Sequence, residues 1–572
     1  MKEKRLTRSD LLLIGIGLLL LSLAVWYQVK NADRAFPEHT IDFQINRTES
    51  RAQSARFLNE IGFSMEGFRH AVAFSFDQTA KTFLEKEVGL SAFDELREEN
   101  LCLWYWSNRW FKPLSKEEYR AHVTPGGDIN YFEHIVAEEK ESPSLSIDEA
   151  RRKSQLFLAE TLGVQIREWE FVDQKTEMMP NRVDYLFSYK KKDYEIYDAT
   201  YRFDIKVQGD EIGMFRKYLK VPDVWKREYS HLRSLNNTTA TVADIFFLLL
   251  IVAAVVVLIV RISRRDIHLR VALVLGIITF GLYFVFQLNQ LPILLYHFDS
   301  NQSIGNFYTV NILVGFLQAI LVGLLITLVV AAGEAMYRSR YPAKMSLPNV
   351  FSIRGLRTKE AFLGVFVGIV LAWAFIAFQT FFYLTAKRLG AWAPHPINYS
   401  ESLNTATPWI FVLLGGFIPA VLEEFSFRIF AIPFFEKLLK SRVVAVILPA
   451  IIWGFAHANY PNQPFWIRGA EVGLVGMIVG VIFLRFNVLA LLVWHYTVDA
   501  VMAASILVKT GQPYHAISGI LVAGLMVIPL LYGLIHYFRK GTFEESGPLR
   551  NAEHEEGEIP SAAPPKRQTI AM

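Results

Sequence analysis

Hydrophobic and polar positions divide the chain into stretches of different character. An apolar run from Leu11 to about Trp26 follows Lys2, Lys4, Arg5 and Arg8. That is the pattern of a membrane span with a basic flank. No small-x-small cleavage site follows it, so the pattern predicts a retained signal-anchor span within residues 1–27. From residue 28 to about Ala240 no apolar run reaches membrane length. Ser54–Gly62 and Ile147–Gly163 have helical spacing and end at glycine, as helix C-termini often do. Strand-like stretches follow each: His70–Asp77 after the first, then Glu168–Asp173, Val183–Tyr189 and Ala199–Val207 after the second. Pro125, Gly126, Gly127 and Asp128 form a turn signal between strands. The repeated order of helix then strands predicts two related α+β modules in residues 28–240.

Beyond Ala240 the pattern changes sharply. Runs able to cross a hydrocarbon core of about 30 Å lie near Val242–Val260, Val271–Leu288, Val310–Ala332 and Ala361–Leu384. Others lie near Trp409–Phe430, Val443–Phe455, Val472–Leu484, Val488–Val508 and Ile517–Phe538. The fold class that follows is an α-helical polytopic membrane protein of about ten spans, with an α+β extracytoplasmic domain inserted after the first. Residues 241–358 carry spans two to four and residues 359–540 the remainder. The segment 541–572, with clustered Glu, Pro and Ala, reads as a disordered cytoplasmic tail.

Composition supports the division. The 572 residues exceed what one core accommodates, and 52% of them are hydrophobic while 20% are charged. A net charge of +4 without a basic stripe gives no nucleic-acid footprint. Cys102 is the single cysteine, which excludes an internal disulfide or a thiolate cluster. Any metal would take His and carboxylate ligands. Basic residues at the N-terminus, 261–270, 338–359, 437–442, Arg485 and 539–540 share one side of the bilayer, against Lys387, Arg388 and Arg468 on the other. This bias predicts a multi-pass cell-membrane protein with both termini in the cytoplasm and residues 28–240 outside.

Ionisable groups inside apolar segments are costly and usually functional. FIPAVLEEFSFRIF places Glu423, Glu424 and Arg428 in one span. Glu424 and Arg428 share a helix face at i,i+4 and can pair, whereas Glu423 is turned by about 100° and left free for chemistry. WGFAHANYPN sets Trp453 and His457 one turn apart, and VWHYTVDA sets His495 and Asp499 at i,i+4. If the chain turns near Lys440, antiparallel helices bring Glu423 and His457 to equal height, about 25 Å from the turn. His495 lies closer to its own turn after Phe486, so the levels agree only if the Glu–His hairpin protrudes past the membrane surface. Blander readings exist for each feature: a bundle brace for Glu424–Arg428, an interfacial His457, and a polar clamp for His495–Asp499. The aromatic stretch WYWSNRWF at 104–111 reads as a strand with a packed face rather than a binding surface. No GxSG-like nucleophile lies in a span, PGGD sits in the polar domain, and HEEGE at 554–558 lacks a second histidine.

EEFSFR at 423–428, WGFAH at 453–457 and HYTVD at 495–499 together resemble the CPBP intramembrane proteases. That family includes CAAX prenyl endopeptidases, bacteriocin self-immunity and processing proteins, and lysostaphin-resistance-like proteins. Its signature joins EExxxR, an aromatic-xxxH element and HxxxN or HxxxD, and Trp453 stands where Phe is commoner. The resemblance covers roughly residues 360–510. It implies peptide-bond hydrolysis by an activated water, on a membrane-associated protein or peptide. Glu423 would be the general base, His457 would position the water or stabilise charge, and His495 with Asp499 would complete the site. Glu423, His457 and His495 also form a candidate zinc set. The outer modules resemble PepSY-type modules, which with the lack of disulfides points to a bacterial source. Rival readings are a non-proteolytic membrane regulator or scaffold of the same fold, and a proton-coupled transporter using Glu423, His457 and His495 as a relay.

Overall fold

The computed structural model describes residues 4–35, 41–89, 103–392 and 402–551. Cys102 and the HEEGE stretch lie outside them. The first span is helix α1 (Arg8–Ala35). The polar region then folds as α2 (Arg47–Glu60), β1 (Arg69–Phe76), α3 (Gln78–Glu87), β2 (Trp104–Phe111), β3 (Glu118–Val123) and β4 (Ile129–Ile135). It continues as α4 (Ile147–Glu160), β5 (Trp169–Met179), β6 (Arg182–Ile196), β7 (Ala199–Gln208) and β8 (Glu211–Lys220).

Both leading helices open with the same device. The Asn46 side chain caps α2 while Glu49 reaches back, and Ser146 with Glu149 does the same for α4. The strands form one antiparallel sheet in the order β1-β2-β3-β4-β8-β7-β6-β5. The last strands of the two halves meet at its centre, where Phe132 pairs with Phe215. The sheet therefore joins two helix-plus-four-strand units edge to edge. Val72, Phe74, Trp106, Phe132, Phe187, Phe203 and Phe215 alternate into a buried core beneath the helices. WYWSNRWF is strand β2, with Trp106 and Trp110 packed inside. The expected turn at 125–128 joins β3 to β4, and Gly127 takes φ +105°, a conformation glycine adopts freely.

Among the described residues, ten helices are long and apolar enough to cross a membrane. After α1 they are α5 (Asp223–Ser263), α6 (Arg270–Asn289), α7 (Ile304–Arg340) and α8 (Lys359–Arg388). The sixth crossing is α9 (Trp409–Glu423), a π-helical turn (Glu424–Phe430) and α10 (Ala431–Leu439). Then come α11 (Arg442–Ala456), α12 (Ile467–Arg485), α13 (Val488–Lys509) and a last crossing, Pro513–Lys540. The chain becomes helical at Asp223, well before the expected boundary at residue 241. β8 passes into α5 through Val221 and Pro222 alone.

Small residues let the helices approach closely. A Cβ on Gly454 of α11 would stand 2.5 Å from the Gly469 carbonyl and the Gly473 nitrogen of α12. The sheet rests on the same end of the bundle as the loop before α9, where the Phe74 N–H donates to Asn404 Oδ1 at 2.8 Å. At the opposite end, residues 541–551 depart from the expected disorder. Phe543 is buried against Tyr537 and Phe362, its N–H bonds to the Lys4 carbonyl, and Asn551 Nδ2 donates to the Tyr341 carbonyl. Aromatic burial and backbone pairing hold this stretch where composition alone suggested neither. The tail from residue 552 lies outside the described residues.

Candidate active site

The six residues singled out in the sequence stand on three helices, and five of them are joined by direct polar contacts. Arg428 Nη1 donates to Glu424 Oε1 at 3.0 Å, and both side chains are fully buried. The same oxygen meets His495 Nδ1 at 2.6 Å. Glu424 Oε1 is thus shared between Arg428 and His495, as expected of a brace. It also orients the His495 ring. His495 Nε2 points instead toward Asp499 Oδ2 at 3.4 Å and Glu423 Oε2 at 3.7 Å. Those separations are too long for close hydrogen bonds, so this nitrogen is aimed but loosely held.

Glu423 differs from its neighbour. Its side chain keeps 24% exposure where Glu424 keeps none. Trp453 donates its indole N–H to Glu423 Oε2. The guanidinium of Arg428 lies 4.0 Å above the Trp453 ring, a cation–π contact that fixes the indole from its other side. Sequence reasoning recorded Trp453 as a departure from the commoner Phe. The signal for its role was there, since Phe has no N–H to give.

His457 Nδ1 lies 2.8 Å from the Trp453 carbonyl. A carbonyl only accepts, so Nδ1 carries the proton and a neutral ring leaves Nε2 with its lone pair. Trp453, one turn before His457, meets the Glu423 carboxylate. The π turn at 424–430 uses more residues per turn than the regular helix on which the equal-height expectation rests. The turn before His495, at Phe486 and Asn487, is roofed by the segment before α8, with Lys344 Nζ donating to the carbonyls of Phe483 (2.9 Å) and Phe486 (2.6 Å).

A second buried polar group was missed. Glu471 Oε2 accepts from Arg468 at 2.7 Å and from Tyr383 at 2.6 Å, and Arg468 stacks on Tyr460. The rule that ionisable residues in spans are functional applied to Glu471 as much as to Glu423.

Glu423, His457 and His495 are the candidate zinc set. Among the described residues no group of three or more His, Cys, Asp and Glu side chains is placed to hold a metal ion. Both nitrogens of His495 face carboxylate oxygens, Nδ1 closely and Nε2 at longer range.

Residues 405–501 match the model of a protein family, type II CAAX prenyl endopeptidase Rce1-like. This segment resembles that family. The match holds the Glu423, His457 and His495 elements together, and it leaves out the sheet and α1 to α8. Over 80 residues the chain is 26% identical to the sporulation-killing factor biosynthesis protein SkfC of Bacillus subtilis (strain 168). That stretch is 14% of this chain and 16% of the relative, so the chain spans about a sixth of the length of the curated relative it matches. No solved structure matches the chain.

Proposed function

We propose that the protein is an intramembrane endopeptidase of the CAAX-protease type, hydrolysing a peptide bond of a membrane-associated protein or peptide. The observation that carries this reading is the unequal pair at 423 and 424. One glutamate is sealed into a brace, and its neighbour is left partly open at the end of an indole N–H. The Rce1-like segment spanning the same residues supports it.

In this reaction Glu423 takes a proton from a water molecule as the water oxygen bonds to the scissile carbonyl carbon. His457 Nε2 accepts the water's second hydrogen and holds its orientation. The oxyanion that forms receives the loosely held Nε2–H of His495, which Asp499 keeps directed into the site. The carbon–nitrogen bond then breaks, and Glu423 returns its proton to the leaving amine. All of these groups belong to the chain. The bias of basic residues among the loops supports a reading in which the sheet domain, on the end of the bundle where the His457 loop emerges, faces the outside of the cell. There it recruits or restrains substrates.

The test is co-reconstitution in liposomes with a pool of single-span bacterial membrane peptides. Wild type should release fragments, while Glu423→Gln should retain intact substrate for identification by mass spectrometry. A wild type that cleaves nothing, with Glu423→Gln still abolishing cellular function, would move the reading to a scaffold.

A further inference from the structure

Asn236 lies on α5, outside the Rce1-like segment, in the polar stretch SLNNTTATVAD. It is completely buried, with 0% of its surface exposed. Its Nδ2 donates to the carbonyls of Ala458 at 3.0 Å and Asn462 at 3.1 Å, with Phe465 at 3.4 Å. Its Oδ1 accepts from Gln463 Nε2. One helical turn earlier, Arg233 Nη2 donates to the Asn459 carbonyl at 2.7 Å.

Every one of these partners belongs to the loop that begins at His457. Beyond one 3₁₀ turn (His457–Asn459) and a bridge between Trp392 and Gln463, that loop has no regular structure of its own before α12. Buried carbonyls without a ladder need donors, and a single amide supplies them here. The histidine ring is fixed to its own helix by the Trp453 carbonyl. The backbone that follows is fixed by α5.

We propose that Asn236 is a positioning residue for His457. Its side chain clasps the 458–465 loop and so holds the imidazole at the water site. A truncated side chain leaves the carbonyls of Ala458 and Asn462 unpaired, and the loop relaxes to find other donors. The histidine moves with it, and a displacement of about 1 Å at such a group costs up to ~100-fold in rate. This proposal rests on the reading of His457 as the water-holding group.

The experiment uses the full-length protein in nanodiscs. Asn236→Ala and Asn236→Asp are compared with wild type and with Asn237→Ala, an exposed neighbour on the same helix. Asn236→Asp keeps the shape and the acceptor but removes the donor. Turnover is followed on a single-span peptide that wild type cleaves, alongside amide hydrogen exchange across the whole chain. Both Asn236 variants should lower kcat about tenfold or more with KM within about twofold. Exchange should quicken in 458–466 and stay unchanged in α9 and α13, while Asn237→Ala behaves as wild type. Unchanged loop exchange, or faster exchange with full kcat, would overturn the proposal. If wild type cleaves no peptide at all, the proteolytic reading fails. The clasp is then judged by loop exchange alone: quickened exchange supports it and unchanged exchange rejects it. Uniformly faster exchange in Asn236→Ala marks that variant as unfolded, and Asn236→Asp then decides.

Discussion

At the scale of single residues, the site separates groups that bind from groups that brace. Replacing Glu423 by Gln keeps volume and removes the base. Cleavage should fall by about 10²–10⁴-fold with the melting temperature of the purified protein unchanged. Arg428 is the opposite case. It is 1% exposed and paired with an equally buried Glu424. Arg428→Ala strands a carboxylate in the membrane interior and should cost about 3–5 kcal/mol of stability, measured by unfolding in mild detergent. The paired replacement Glu424→Gln with Arg428→Met should recover much of that loss. Trp453→Phe tests the indole. It keeps an aromatic side chain, though a smaller one, and removes the N–H held by Glu423, and a hydrogen bond to a charged group is worth about 1.5–3 kcal/mol. A fall in kcat of roughly tenfold with normal folding is expected from stopped assays of peptide cleavage. The spacing Glu424–Arg428 was legible in the sequence because i,i+4 geometry is local. The bond from Trp453 to Glu423 was not, because it depends on how two helices face each other. Asn236 was invisible for the same reason.

Among the elements, regularity decided what could be read. All ten spans were legible, since membrane crossing demands a length of apolar residues that no loop imitates. In the sheet, β1 and β7 matched the alternating pattern closely, whereas β8 escaped notice. Its sequence EIGMFRKYLK places cations among apolar positions, and only the pairing with β4 and β7 makes it a strand. The π turn at 424–430 carries no sequence signal of its own, yet it shifts the register between Glu423 and the helix opposite. Close helix contact was also hidden. Gly454 looks ordinary in WGFAH, but its missing Cβ admits the backbone of α12. Gly454→Val should push α11 from α12, lower stability by about 1–3 kcal/mol or more, and abolish cleavage. Size-exclusion and thermal-shift measurements on the variant would register the first effect.

Over the whole molecule, the sheet and the bundle respond to different conditions. His70 in β1 is held down to about 4 by burial and by the nearby Arg51 and Arg47, despite its bond to Asn108. His122 in β3 is likewise pushed to about 3 by burial, Arg120 and Arg216. Both rings are neutral in the folded sheet and would protonate near 6.5 when unfolded. Their contribution to stability is therefore complete above about pH 6.5 and is lost as pH falls toward 4. Hydrogen exchange of β1 to β3 in the intact protein should quicken over that window, and His70→Gln should flatten part of the change. The passage from β8 to α5 carries a different consequence. Val221 and Pro222 are the whole junction, so the helix bearing Asn236 inherits its rotational phase from the sheet. One residue inserted there would turn Asn236 by about 100° and displace it by about 1.5 Å. The outer domain is consequently not an exchangeable cassette. A chimera carrying a foreign domain must meet α5 both in phase and at the same height: an insertion of seven residues, close to two full turns, restores the phase but shifts Asn236 by about 10 Å, and should disrupt the clasp as an insertion of one or two does.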